Sequence, residues 1–184
     1  MNRLAMYLSL AILAASAAGA ASQTPSPYAG QEQRAIKALS EKEIGDLKEG
    51  RGMGLAKAAE LNSYPGPLHV LELAVQLGLT DEQRKSTEAL YLGMRERAQT
   101  LGVRVIEAER NLDQAFVAGR IDPTSLRSQL AAIATLQGEL RAIHLEAHLA
   151  QRSLLTPEQV ARYDALRGYG GGAMHPVGHS HGRD

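Results

Sequence analysis

Leu79-Thr80-Asp81-Glu82-Gln83 and Leu155-Thr156-Pro157-Glu158-Gln159 are two copies of one pattern, about 75 residues apart, and each stands where an apolar-periodic stretch begins. Thr followed three residues later by Gln is a capping box. The hydroxyl accepts a hydrogen bond from the backbone N–H three residues on, and the Gln side chain reaches back to the Thr N–H. In the second copy Pro157 takes the first helical position, where its missing N–H costs nothing, and Leu155 is placed to pack against Val160. Two helix starts follow, and they bracket the longest elements of the chain.

Between them, Thr87, Tyr91, Met94, Ala98, Leu101, Val105, Ala108, Leu112 and Ala115 recur in alternating steps of four and three, the heptad spacing of a helical seam. This predicts a helix from Asp81 to about Ala118, about 57 Å long at 1.5 Å per residue. Gly119-Arg120 ends it. Asp122 caps a second long helix with Pro123 at its first position, and an apolar stripe runs through Leu126, Leu130, Ile133, Leu136, Leu140, Ile143, Ala147, Ala150 and Leu154. So short a link makes the two helices antiparallel, with residues whose numbers sum to about 241 lying level. Val103, Ile106 and Phe116 fall off the main seam, so a bare hairpin cannot cover them. The N-terminal helices, a second subunit or a bound client must do so.

Upstream, a helix is expected over residues 31–39. Ser40-Glu41-Lys42-Glu43 opens another that stops at Gly50, a short one covers residues 55–62, and Pro67 starts one that ends before Gly78. Gly50-Arg51-Gly52-Met53-Gly54 lacks the spacing of a phosphate loop and reads as a hinge. No strand-like alternation occurs anywhere. The fold class is therefore all-α: a long antiparallel hairpin with shorter N-terminal helices and a short C-terminal one.

The ends differ from this middle. Arg3, an apolar run over residues 4–15 and Ala18-Gly19-Ala20 fit a secretory signal peptide over residues 1–21. An uncleaved anchor over residues 4–21 is the alternative, but at least half of that longer run is Ala, Ser or Gly, which favours cleavage and no stable membrane insertion afterwards. Residues 22–30 read as a flexible linker, residues 31–168 as the helical domain, and residues 169–184 as a disordered Gly- and His-rich tail. Removing the signal leaves 19 basic residues (20 less Arg3) against 20 acidic, so no global field draws nucleic acid or an anionic membrane. Phe116 is the one Phe and Trp is absent, which removes base-stacking platforms. With no cysteine there is no disulfide, thiol nucleophile or thiolate metal site.

An export signal, an all-helical hairpin and two LTxxQ copies together resemble the Spy/CpxP family. The resemblance covers residues 28–169, and its specific part is the two motifs. It implies a cradle-shaped antiparallel homodimer in the periplasm that holds unfolded protein clients without ATP in envelope stress. Related zinc-resistance-associated proteins and metal sensors supply the alternative, a heavy-metal-binding sensor or resistance protein for zinc, nickel or copper. Leu79, Thr80, Gln83, Leu155, Thr156 and Gln159 carry over as structural caps, and no residue is assigned to client binding. The chain lacks the basic surplus of the best-known chaperone members. No cofactor is required on this reading, though zinc or another divalent transition metal would suit the histidines.

Five of the six histidines lie from His144 onward. His144 and His148, four apart, share a helix flank beside Ile143 and Ala147, a spacing that can hold a divalent metal through two imidazoles. The fold-back of the Pro67 helix brings His69 to the level of Tyr91 and near His148, with Glu72 or Glu96 as a possible carboxylate ligand. The tail adds Met174, His175, His179 and His181, a compositional chelation signal. Half-exposed histidines on a helix flank and a soluble tail are the structural alternatives. An enzyme is not expected: no HExxH, P-loop, GxSxG or dinucleotide fingerprint is present, and pairs such as Asp113 with His144 have no placed third group. The charges Arg95, Glu96, Arg97, Glu107, Glu109 and Arg110 read as solvated helix faces.

Overall fold

The structure, a computed structural model, describes residues 26–169. The expected signal peptide, the first part of the linker and the tail with Met174, His175, His179 and His181 lie outside the described residues. Residues 26–30 turn, with Ala29 N–H donating to the Ser26 carbonyl at 2.9 Å. Residues 33–169 form one compact unit. Seven helices and no strand occur among the described residues, so the all-α class holds: α1 Glu41–Glu49, α2 Lys57–Glu60, α3 Pro67–Glu72, α4 Ala74–Leu77, α5 Asp81–Val117, α6 Pro123–Leu154 and α7 Pro157–Arg167.

The caps fall where the sequence places them. Thr80, Thr156 and Ser40 each close a capping box, with Gln83, Gln159 and Glu43 as partners. Asp122 accepts from the Thr124 and Ser125 N–H groups ahead of Pro123. Gly50 ends α1 in the left-handed region at φ 67°, which only glycine enters freely. The hairpin register also agrees with the short link. Arg97 pairs with Glu146 at 3.1 Å and Gln151 Nε2 donates to Thr87 Oγ1 at 3.2 Å, both couples summing close to the expected 241.

Three expectations need correction. Residues 31–39 are not a helix but a single 3-10 turn, Gln31–Gln33, followed by bends. The reason is tertiary: the Lys37 N–H donates to Asp113 Oδ1 at 3.3 Å and Ile36 is buried at 1% exposure, which holds the segment in an irregular path across the hairpin. The helix from Pro67 to Gly78 is two pieces, since Leu73 ends α3 at ψ 13° before α4 restarts. The stretch over residues 55–62 shortens to α2.

Two apolar cores result. Ile36 and Leu47 pack on Ala98, Leu101, Val105 and Ile106 of α5 and on Leu136, Leu140 and Ile143 of α6. At the open end Val70, Leu77, Leu155, Val160 and Tyr163 form the second core, so Leu155 and Val160 share it as expected of a staple. Ile106 is thereby covered, whereas Val103 and Phe116 remain 43% and 55% exposed. No described helix is long and apolar enough to cross a membrane.

Candidate functional site

A cleft of about 400 Å³ opens along the hairpin between the two cores. Its walls come from four places: the Gly50–Arg51–Gly52 loop, the start of α3 with Pro67, Leu68 and His69, the α5 side chains Tyr91, Met94 and Arg95, and His144 with His148 on α6. The sequence reading that folds the Pro67 segment back to bring His69 level with Tyr91 and near His148 is therefore met. Gly66 admits this approach, because a Cβ there would stand 3.0–3.1 Å from the His148 ring.

The three imidazoles differ in their surroundings. His148 Nδ1 lies 2.7 Å from the Tyr64 carbonyl oxygen, so this nitrogen carries the proton and donates. Beside it Glu60, which is largely buried, accepts from the Tyr163 hydroxyl at 2.6 Å, the Tyr169 hydroxyl at 2.9 Å and the Gly66 N–H at 3.2 Å. Burial pushes the Tyr163 hydroxyl well above the ordinary tyrosine range and raises that of Tyr169, and the neighbouring Glu60 adds to both. His69 Nδ1 meets Glu72 Oε2 at 2.7 Å. His144 is 3% exposed and its Nε2 has no hydrogen-bond partner. Desolvation first, then the nearby His148, lowers its pKa from the usual value, which keeps the ring neutral.

The cleft also carries cationic groups. Arg51 is taken up by Glu49 at 2.6 Å and Asp46 at 3.4 Å. Arg95 donates from Nε to the Glu49 carbonyl at 3.2 Å and forms no ion pair among the described residues.

Against the expected metal set, His69, His144 and His148 share the cleft, and Glu72 reaches His69, but Glu96 does not line it. No three His, Cys, Asp or Glu side chains among the described residues are placed to hold one ion. His148 and His69 set their Nδ1 atoms against the Tyr64 carbonyl and Glu72, which leaves each Nε2 uncommitted, whereas His144 keeps its Nε2 buried. Asp113 is engaged by Lys37, away from His144.

The motif residues make an arrangement that sequence reasoning missed. Besides closing its own cap, each Gln touches the other copy: Gln83 Nε2 donates to Gln159 Oε1 at 2.8 Å, and Gln159 Nε2 donates to Gln83 Oε1 at 3.1 Å. Gln83 Nε2 also reaches the Leu154 carbonyl at 2.8 Å. The signal was present, since Glu would close either cap equally well yet both copies use Gln.

No curated protein and no solved structure matches the chain significantly. The family model described as heavy-metal resistance matches residues 65–162. That span is more than half of the chain, and it runs from the cleft-forming Pro65-Gly66-Pro67 turn through the hairpin into α7. In keeping with the Spy/CpxP resemblance of its two motifs, the chain belongs to the heavy-metal resistance family.

Proposed function

We propose that the protein is a nucleotide-independent chaperone of heavy-metal resistance, exported to the periplasm by its N-terminal signal and working as a homodimer that holds unfolded clients. The observation that carries this reading is the apolar surface left on the hairpin. Leu92, Val103, Phe116, Val117, Leu130 and Leu149 are each at least 43% exposed on α5 and α6. Phe116, Val117 and Leu130 sit toward the hairpin turn, beyond the reach of α1 and α3, which pack on α5 nearer its start. Exposed apolar side chains along the two hairpin helices suit transient capture of exposed segments in other chains. The absence of cysteine also fits the task, because the protein offers no thiolate to the soft metals that poison thiol proteins.

An aggregation assay on a chemically denatured client, without nucleotide and with and without zinc, tests the proposal. Suppression at near-stoichiometric ratios is expected, and no effect on the client under either condition overturns it.

Family membership favours a second reading, direct metal binding. Three histidines in one cleft and three in the tail supply imidazoles, but no described trio converges. Zinc titration of the chain carrying His175→Ala, His179→Ala and His181→Ala separates the two locations. Binding that vanishes places the metal on the tail, and binding that persists places it on the helical domain.

A further inference from the structure

Two imidazoles are oriented as metal-bound histidines are. His148 Nδ1 faces the Tyr64 carbonyl and His69 Nδ1 faces Glu72 Oε2, each at 2.7 Å. A carbonyl or carboxylate oxygen only accepts, so both protons sit on Nδ1 and each neutral ring presents a lone pair at Nε2. Among the described residues His144 supplies the one imidazole nitrogen that is both buried and unpartnered, so the Nε2 atoms of His69 and His148 are reached by solvent. Gly66 keeps the space beside His148 open, since a Cβ there would stand 3.1 Å from Nε2. Lone pairs fixed in this way, with an acceptor behind each ring, are the arrangement that tunes histidines for a metal.

A third donor lines the same place. Both histidines border a pocket of about 340 Å³, and so does Met53. Met53 belongs to neither apolar core and is 42% exposed, yet its backbone takes φ 46°, a left-handed conformation that costs a residue with a side chain. Such strain collects at ligand clamps.

The remaining charges select the ion. Lys57 and Glu60 are the other ionisable side chains lining this pocket. Glu60 already accepts from Tyr163, Tyr169 and the Gly66 N–H, Glu72 is set against His69, and in the wider cleft Glu49 is paired with Arg51. Two neutral nitrogens and a neutral sulfur are left, beside a cationic Lys57. A hard divalent ion would want an uncommitted carboxylate, whereas thioether and imidazole together suit a soft monovalent ion.

We propose that His69 Nε2, His148 Nε2 and the Met53 thioether bind copper(I) or its analogue silver(I). The proposal rests on the second reading above, direct metal binding, which it narrows to one place and one class of ion, and it is independent of client holding.

Calorimetric titration with silver(I) nitrate in chloride-free buffer at pH 7.5 tests it. The full chain carries Met174→Leu, His175→Ala, His179→Ala and His181→Ala, so that the tail contributes no ligand. Saturable one-to-one binding is expected, with zinc at least tenfold weaker. Met53→Leu should weaken silver(I) at least tenfold without moving the thermal melt, whereas Met94→Leu, on the α5 wall of the wider cleft, should bind as the parent does. Proton–nitrogen correlation spectra should show the Nε2 resonances of His69 and His148 displaced by silver(I) while their Nδ1 protons stay in place. The proposal is overturned if silver(I) does not saturate, if Met53→Leu binds like the parent, if Met94→Leu weakens binding as much, or if the Nε2 resonances do not move. Zinc bound at least as tightly as silver(I) overturns the soft ion and leaves direct metal binding standing, and binding of neither ion removes metal binding by the helical domain as well.

Discussion

Gln83 and Gln159 are joined carboxamide to carboxamide, each donating to the other at 2.8 and 3.1 Å, while each Oε1 also accepts from the N–H of its own capping Thr at 3.0 Å. The start of α5 and the start of α7 are thus one assembly, pinned further by Gln83 to Leu154 and by Gln159 to the carbonyls of Leu77 and Gly78. A carboxylate could cap either helix, but it has no N–H to give, and two of them would repel.

Gln83→Glu and Gln159→Glu therefore keep the local cap and lose the link. Each should destabilise the fold by about 1–3 kcal/mol, more than the roughly 1 kcal/mol expected for Thr80→Ala or Thr156→Ala. Because the two glutamines share a contact, the double variant should depart from additivity by more than about 0.5 kcal/mol. Chemical denaturation measures it. Additive losses would mean that the two caps act separately.

Gly102 makes the tightest approach between α1 and the hairpin, since a Cβ there would collide with the Leu47 backbone carbonyl. Gly93 and Gly138, on α5 and α6, have nothing within 4 Å of the same position. Alanine favours a helix over glycine by about 1 kcal/mol, so Gly93→Ala and Gly138→Ala should raise the melting temperature. Gly102→Ala should lower it, because displacing α1 costs about 1–3 kcal/mol and outweighs the propensity gain. Thermal melts of the three variants decide whether contact or propensity governs each site.

Much of this was legible in the chain because it is local. Caps at Ser40, Thr80, Asp122 and Thr156, the stop at Gly50 and the hairpin turn at Gly119-Arg120 each depend on a few neighbouring residues, and each is where the sequence puts it. Failures came where distant groups compete for the backbone. Nothing near Lys37 announces that its N–H will go to Asp113, 76 residues away, so the segment over residues 31–39 looks helical and is not. The cleft was half legible. Register arithmetic brought His69, His144 and His148 together, but the commitment of two Nδ1 atoms and the burial of His144 depend on Tyr64, Glu72 and packing that spacing cannot express.

His144 makes stability depend on pH. Its pKa is lowered in the folded protein by burial and by His148, so below the ordinary imidazole value of about 6.5 the unfolded chain binds the proton more readily than the folded one. Stability is unaffected well above that value and falls as the pH drops through it toward the depressed folded value. The melting temperature should decline from about pH 7 to pH 5, and His144→Leu should flatten that decline. A His144→Leu profile parallel to the parent would assign the pH dependence to other groups.

The exposed end of the hairpin carries the last prediction. Phe116 and Val117 are 55% and 73% exposed, so they add little to the folded state, and surface changes there should stay within about 0.5 kcal/mol. If that surface holds clients, Phe116→Ser with Val117→Ser should reduce aggregation suppression several-fold with the melting temperature unchanged. Val75, at 85% exposure on α4, lies off the hairpin, and Val75→Ser is the matched control that should leave suppression intact. Equal loss from both would point to general surface hydrophobicity. Loss from neither would move client capture away from the hairpin turn altogether. Sedimentation of the same variants completes the test, because a drop from dimer to monomer alongside lost suppression would make Phe116 and Val117 subunit contacts and leave the client surface elsewhere.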